Sequence, residues 1–330
     1  MKKMMTLCLA CIICLMPKPV YAHVKWFTEE DPNRVPIETI ISPLFICLTC
    51  LSIITLICLL LLEQHLSSHH LLKRLHKLSV KETIIRFILQ YSIAVSLFMQ
   101  LINGNIFAPE IHIHNPVYTW LLVIVIFLYI IPHQLMVNVA SFILLLLYLQ
   151  FSLEYSWFHM LDYFFYIGLI LYFLMDRTRL DQIKYPIMYV TLGISLCWLA
   201  AEKWVYPHMT MNIIELYHVP IFGLDPIIFT VIAAFVEFSI GIAWIFQLLN
   251  RFFAIVFTIV MFMTTLMFGY MELIGHFLLH IMMIVFIING KNLVCLPSRV
   301  FSNRQGQVIF LASQFILLLT SIVSLYYYFG

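Results

Sequence analysis

The chain alternates between long apolar runs and short polar segments. After an apolar run at the N-terminus, ten further runs have about the length that a bilayer-crossing helix needs. Each is bounded by charged, polar or proline-containing residues that favour a helix end. The runs cover roughly residues 40–62, 84–102, 117–131, 134–151, 157–175, 186–202, 227–249, 252–268, 271–289 and 307–328. This pattern predicts an all-α fold, a polytopic transmembrane helix bundle with about ten spans.

The composition agrees with a membrane protein whose main partner is the lipid bilayer. The 330 residues are 63% hydrophobic and only 10% charged, whereas a soluble domain carries about a quarter charged residues. No basic face with interleaved aromatics is present, so no nucleic-acid partner is predicted. No Walker A loop, Rossmann fingerprint or HExxH motif is present, so a nucleotide partner or hydrolase activity is disfavoured. Whether the protein is an enzyme stays open.

The first residues resemble a secretory signal peptide. Met1–Ala22 begins with two lysines, continues as a short apolar run, and ends with small side chains at Val20 and Ala22. Cleavage after Ala22 would make His23 the first residue of the mature protein. The alternative is a short uncleaved anchor.

The charges along the chain predict its orientation. With an exported N-terminus, twelve of the fifteen Lys and Arg residues beyond the signal fall in cytoplasmic segments, as the positive-inside rule requires. The prediction is a bacterial inner-membrane protein whose mature N-terminus and C-terminus both lie on the periplasmic side. Twelve of the sixteen acidic residues and eight of the thirteen histidines lie on the outer side or in outer parts of spans. That bias suggests an outward-facing site for cations or protons.

One stretch of the chain resembles a known family. Gly193–Pro207 reads GISLCWLAAEKWVYP, Val236–Gly241 reads VEFSIG, and Phe268–His276 reads FGYMELIGH, with Asn250-Arg251 in a minimal turn between them. This arrangement resembles the DoxX-type superfamily of four-helix membrane proteins, over residues 186–290. The resemblance implies a four-helix bundle linked to respiratory or redox chemistry, with a quinone as one implied cofactor.

The four spans before this module read as a diverged copy of it. Tyr91–Pro109 parallels Val190–Pro207 in its Ser-Leu and terminal proline, and Pro116 and Pro226 both precede the next span. The predicted organisation is a signal peptide (1–22), a periplasmic segment (23–39), a first span with a basic cytoplasmic loop (40–83), a four-helix module (84–175), the DoxX-like module (176–290), and a last loop and span (291–330).

The histidines at the outer side suggest a metal site. His112 and His114 are two residues apart, so in an extended chain both imidazoles point to one side. Imidazole suits copper and other transition metals, and a mature N-terminus at His23 would add an amine and a third imidazole. The candidate metal ligands are His23, His112, His114, His208 and His218. The alternative is that these are solvated loop residues.

A second candidate site consists of ionisable residues inside the apolar runs. Such residues are costly in a membrane and mark a proton path or cofactor site by default. Glu272, His276 and His280 share one helix face, and His159 and Asp162 open the corresponding span of the proposed first module. The full set is Glu237, Glu272, His276, His280, His159, Asp162 and Glu202. In the alternative, Glu237 pairs with Arg251 or a histidine, and Glu202 with Lys203, merely to hold helices together.

Three functions follow from these sites. The first is a membrane protein that binds or handles a metal cation, with copper favoured, or a redox partner at its periplasmic face. The second is a quinone-linked oxidoreductase subunit, as the family resemblance implies. The third is a non-enzymatic metal or proton transporter or assembly factor.

Overall fold

A computed structural model describes residues 27–28, 33–66, 80–289 and 295–330 as a bundle of helices. The predicted signal peptide, its cleavage site, His23 and most of the basic loop lie outside the described residues. The predictions that concern them therefore stay predictions.

The first half of the bundle contains seven helices and one hairpin in the described residues. The helices are α1 (Ile37–Ile40), α2 (Pro43–Leu66), α3 (Glu82–Ile102), α4 (Pro116–Ile130), α5 (Gln134–Tyr155), α6 (Trp157–Met160) and α7 (Phe165–Met175). Between α3 and α4, the antiparallel strands β1 (Asn105–Ile106) and β2 (Ala108–His112) form a short hairpin. A 3-10 turn over Leu161–Tyr163 links α6 to α7.

The second half begins with a 3-10 turn at Asp181–Ile183. Its described helices are α8 (Lys184–Val205), α9 (Pro207–Leu216), α10 (Pro226–Ile245), α11 (Asn250–Phe268), α12 (Tyr270–Ile288), α13 (Leu296–Val300) and α14 (Arg304–Phe329).

The helices confirm a multi-pass membrane protein. Within the described residues, 8 helices are long and apolar enough to cross a bilayer: α2, α3, α5, α8, α10, α11, α12 and α14. The run predicted as one span over residues 157–175 is instead broken, with its two parts at an angle of 70°. The α4 helix has 15 residues, short of the ~20 that span a bilayer. The exact count of ten spans therefore stays a prediction.

Helix α8 is the central element of the bundle. It packs along α10 and α7 and also contacts α14. A Cβ on Gly241 would lie 2.7 Å from the Gly193 carbonyl oxygen, so these two glycines let α8 and α10 approach backbone to backbone. Small residues allow such close helix contacts in membranes. This contact explains two of the glycines in the segments that resemble DoxX proteins.

The bundle has two ends, which we name after the predicted topology. The outer end carries the β1–β2 hairpin, the broken segment around α6, and α9. The inner end carries the start of α3, the end of α7 and the start of α8. At the inner end, Val80 N donates a hydrogen bond of 3.3 Å to Ile288 O, which joins α3 to the end of α12.

Candidate functional site

The broken segment after α5 brings two ionisable side chains into the interior. Ser156 has a φ of 94°, and its hydroxyl accepts a hydrogen bond of 3.2 Å from His159 N, so it begins α6 as an N-cap. The chain then bends by 70° into α7. His159 and Asp162 lie on this segment and are only 3% and 2% exposed.

Side chains of α8 satisfy backbone groups that the bend frees. Ser195 Oγ accepts a hydrogen bond from Phe165 N (3.1 Å) and donates one to Leu161 O (3.3 Å). Trp198 Nε1 donates to Phe158 O at 3.1 Å. A backbone polar group without a hydrogen bond in a membrane costs on the order of several kcal/mol. These contacts therefore stabilise the broken conformation.

Polar side chains from four elements meet at this bend, and we call them the outer cluster: Glu110, His159, Asp162, Tyr163, Glu202, Lys203 and Glu237. His159 Nε2 lies 3.2 Å from Glu110 Oε1, and its Nδ1 lies 4.0 Å from Asp162 Oδ2. The Tyr163 hydroxyl donates a hydrogen bond to Glu110 Oε1. The Glu110 side chain is 21% exposed and the Glu237 side chain is 30% exposed, so the cluster reaches the surface through both carboxylates.

The other half of the outer cluster joins α8 to α10. Lys203 Nζ lies 2.8 Å from Glu237 Oε2. The charges of Glu202 and Asp162 also act on this ammonium group, and Glu202 is 0% exposed. Glu237 thus joins two helices by an ion pair, as the alternative expected, but its partner is Lys203 of α8 and not Arg251 or a histidine.

The outer cluster carries more carboxylates than cations. Its acidic members are Glu110, Asp162, Glu202 and Glu237, whereas its basic members are Lys203 and the imidazole of His159. Among the described residues, even with a protonated imidazole, four carboxylates would face two positive charges. Excess negative charge is strongly disfavoured in a low-dielectric interior.

A second acid–histidine pair lies on α12. His276 Nδ1 is 2.9 Å from Glu272 Oε1, and both residues are buried. One turn further, His280 Nε2 lies 3.1 Å from the hydroxyl of Thr265 on α11. The structure thus confirms that the three residues share a face, and it assigns His280 to the α11–α12 contact.

The candidate metal ligands are spread over the outer surface. His112 and His114 are exposed with ring centroids 6.3 Å apart, which agrees with the predicted shared side. His208 and His218 are also exposed, on α9 and just after it. Among the described residues, no group of three or more His, Cys, Asp or Glu side chains is arranged to hold a metal ion. His23, the remaining predicted ligand, lies outside the described residues.

Three members of the outer cluster were not predicted as site residues from the sequence. Glu110 was noted only for its charge, Tyr163 was not noted, and Lys203 was taken for a local partner of Glu202. The sequence does contain a sign of this role at Glu110. Its carboxylate interrupts an otherwise apolar stretch between Pro109 and Ile111, and both of these neighbours are buried.

Comparisons with known proteins identify no relative. No protein-family model matches the sequence, and no match was found among curated proteins or solved structures. The resemblance of residues 186–290 to DoxX-type proteins therefore stays a prediction from the quoted segments.

Proposed function

We propose that this chain is a proton-handling membrane protein that takes up protons from the outer side into the outer cluster, as a transporter or assembly factor would. The observation that carries the proposal is that carboxylates outnumber cations among the described residues of the outer cluster, with Asp162 and Glu202 buried and Glu110 and Glu237 partly buried. Four acidic groups meet one lysine and one histidine, so the cluster needs further positive charge to be stable.

Protons are the cation that this arrangement favours. Among the described residues, no group of three or more His, Cys, Asp or Glu side chains is arranged to hold a metal ion. A carboxylate can accept a proton without such an arrangement of ligands. When like-charged carboxylates share a buried site, the ionised form of at least one of them is strongly disfavoured. We therefore expect at least one of the two buried carboxyl groups, Asp162 or Glu202, to be protonated at neutral pH.

The contacts of His159 provide an entry path. One imidazole nitrogen faces the partly exposed Glu110, and the other faces the buried Asp162, at 3.2 Å and 4.0 Å. An imidazole accepts a proton on one nitrogen and releases it from the other near neutral pH. A proton that arrives at Glu110 can therefore pass through His159 toward Asp162 and Glu202.

The proposal includes the orientation predicted from the charges. We propose an inner-membrane location with the outer cluster toward the periplasm. The Lys and Arg residues in the loops at the opposite end support this orientation. The Glu110 carboxylate would then take protons from the more acidic side of an energised membrane.

We further propose that the two four-helix modules are related by duplication. The last helix of each module packs on the first helix of the other, since α7 packs along α8 and α12 packs along α3. The second helices also begin alike. Asn115 and Asp225 each accept a hydrogen bond of 2.9 Å from the amide two residues on, with proline in between. An acid–histidine pair lies just before the last helix of the first module and in the first two turns of the last helix of the second.

Infrared spectroscopy of the purified protein tests the proton load. We expect an absorption band of protonated carboxyl groups at neutral pH that shifts in heavy water and weakens in Glu202→Gln and Asp162→Asn. The matched control is Glu154→Gln, which removes an exposed carboxylate at the same end and should leave the band unchanged. Absence of the band from the wild-type protein would contradict the proposal.

Proton flux provides the functional half of the test. In vesicles of the reconstituted protein, an inward pH step should acidify the lumen faster than in empty vesicles, and His159→Ala should remove most of the difference. The Glu154→Gln protein should behave as wild type. If His159→Ala carries protons as fast as wild type, the entry path through the imidazole is wrong.

Metal binding at the outer rim is the second candidate function. The observation that favours it is the pair of exposed imidazoles at His112 and His114, in one hairpin and close to each other. Copper or another transition metal would need a further ligand, and the predicted N-terminal His23 would supply it. Metal analysis of the purified protein tests this candidate.

A further inference from the structure

A second group of charges lies at the inner end, and we call it the inner network: Glu82, Arg86, Asp176, Asp181 and Lys184. Lys184 Nζ lies 2.9 Å from Glu82 Oε1, 2.6 Å from Asp176 Oδ1 and 2.8 Å from Asp181 Oδ1. Arg86 Nε lies 3.0 Å from Asp176 Oδ2. These contacts tie the start of α3, the end of α7 and the start of α8 to one lysine.

Two tyrosines complete the inner network. The hydroxyls of Tyr172 and Tyr185 donate hydrogen bonds of 3.3 Å and 2.9 Å to Glu82 Oε1. The Lys184 ammonium also lies 4.8 Å from the centroid of the Tyr172 ring, within the range of a cation–π contact. Lys184 is only 1% exposed. The network therefore joins a buried lysine and two aromatic rings to the partly exposed carboxylates of Glu82 and Asp181 at the inner end.

The charges of the inner network balance closely. Three carboxylates face Lys184 and Arg86, and the exposed Arg177 lies 3.9 Å from Asp176. Such buried networks add little net stability, since well-packed apolar residues often do as well. Their best-attested use is to specify one arrangement against another. A network that joins three helix ends is therefore suited to hold one of two conformations.

One face of α8 connects the inner network to the outer cluster. Lys184, Thr191, Ser195 and Glu202 lie at i, i+7, i+11 and i+18, so they share a face over about 27 Å of helix. All four are buried, and Lys184 and Ser195 contact α7 and the residues that flank it. We call this row of buried polar side chains, which faces the apolar and aromatic side chains of α7, the α7–α8 seam.

The seam is closed midway. A Cβ on Gly168 of α7 would overlap the Thr191 hydroxyl of α8 and would lie 3.1 Å from Met188 Cα. The two helices therefore touch directly at this level. The outer cluster meets the surface through Glu110 and Glu237. The inner side is closed by the Gly168 contact and by the inner network.

We infer that the inner network is a lock that closes the inner end of the α7–α8 seam, so that the structure represents a conformation shut toward the inner side. The inference rests on the proposed function for what passes along the seam. Release of Lys184 from its three carboxylates frees α7 and α8 to separate at the inner end. Protons held in the outer cluster then gain access to the inner side.

Thiol labelling in vesicles tests the lock. A protein without its native cysteines receives Thr191→Cys as a reporter in the seam, and a membrane-impermeant thiol reagent is applied from the inner side. We expect slow labelling when the lock is intact. Addition of Lys184→Met should raise the rate about tenfold or more, because the open conformation is normally a minor state of ~10% or less.

Matched variants make the result specific. Arg179→Met removes an exposed cation at the same end that belongs to no ion pair of the inner network, and it should leave the labelling rate unchanged. Ile183→Cys, at an exposed position beside the network, shows that the reagent reaches the inner end. If Lys184→Met does not give a monodisperse protein, Glu82→Gln is labelled in its place and the same criterion applies. The Glu82 side chain is half-exposed, so we expect the protein to tolerate its neutralisation.

The outcomes separate the lock from the proposed function. An unchanged rate for folded Lys184→Met, or for Glu82→Gln in its place, overturns the lock but leaves the infrared test of the outer cluster untouched. Faster labelling supports the lock even if the infrared band is absent. In that case only the proposed function is contradicted.

Discussion

The two ends of α8 carry charged residues in opposite balance. At the inner end, Lys184 sits among three carboxylates that Arg86 and Arg177 help to neutralise. At the outer end, the buried Glu202 and its neighbours outnumber Lys203 and His159. Each group combines buried side chains with partly exposed carboxylates, and both groups join several helices, so burial and position alone do not distinguish them.

The difference in balance separates a structural from a chemical role. A balanced network is stable with every group ionised, so it needs no exchange of protons and serves to hold helices in one arrangement. A cluster with excess carboxylates is stable only when it binds additional positive charge, such as a proton. Its protonation state therefore changes whenever that proton is released. Under the two proposals, one helix links a group that holds protons to a group that holds a conformation.

Removal of the lysine from each end should give the largest contrast. Lys184→Met leaves buried carboxylates without their shared cation, which typically costs about 3–5 kcal/mol. Lys203→Met should cost clearly less, because the outer carboxylates can take up another proton in its place, and its deficit should shrink at lower pH. Thermal unfolding in detergent at two pH values measures both. Equal losses at every pH would contradict the distinction between the two ends.

Neutralisation of one aspartate at each end should give effects of opposite kind. Asp176→Asn removes a carboxylate that contacts both Arg86 and Lys184, and we expect a loss of about 3 kcal/mol. Asp162→Asn removes surplus negative charge, so its stability should stay within about 1 kcal/mol of wild type or rise. The same unfolding measurement compares them. A larger loss for Asp162→Asn would show that the outer cluster is held by ionised pairs.

Much of the outer cluster could be predicted from local sequence. Charged residues inside apolar runs are rare enough to be informative, which identified Asp162, Glu202 and Glu237 as candidates. The spacing of His159 and Asp162, and of Glu272 and His276, placed each pair on one helical turn. These are statements about a single helix, and the structure confirms the Glu272–His276 contact and the burial of His159 and Asp162.

The partners of these residues could not be predicted in the same way. Glu110 reaches His159 across 49 positions, and Glu82 reaches Lys184 across 102, because the helices that carry them become neighbours only in the folded bundle. Periodicity reports which face of a helix is polar, but not which helix covers that face. For this reason Arg86 and Lys184 were counted only as cytoplasmic charges, and the inner network was not expected.

A substitution between the two ends should have an intermediate effect. Gly168→Ala introduces a methyl group that would overlap Thr191 Oγ1, and overpacking of this kind costs about 1–3 kcal/mol. Replacement of Thr191 by Ala in the same protein removes the clashing atom and should recover part of the loss. Thermal unfolding of the single and double variants measures the recovery. No recovery would mean that Met188, not Thr191, limits the approach of α7 to α8.

The smallest effect on stability is expected at the outer rim. His112→Ala combined with His114→Ala removes two exposed imidazoles, so neither the melting temperature nor the infrared band of the outer cluster should change. If the rim binds copper, the same variant should bind it more weakly than wild type in equilibrium titrations. The control is His208→Ala combined with His218→Ala, which removes two other exposed imidazoles at the same end and should bind as wild type. Equal copper binding by all three proteins would contradict the metal site, whereas a change in the infrared band would show that the rim histidines belong to the proton path.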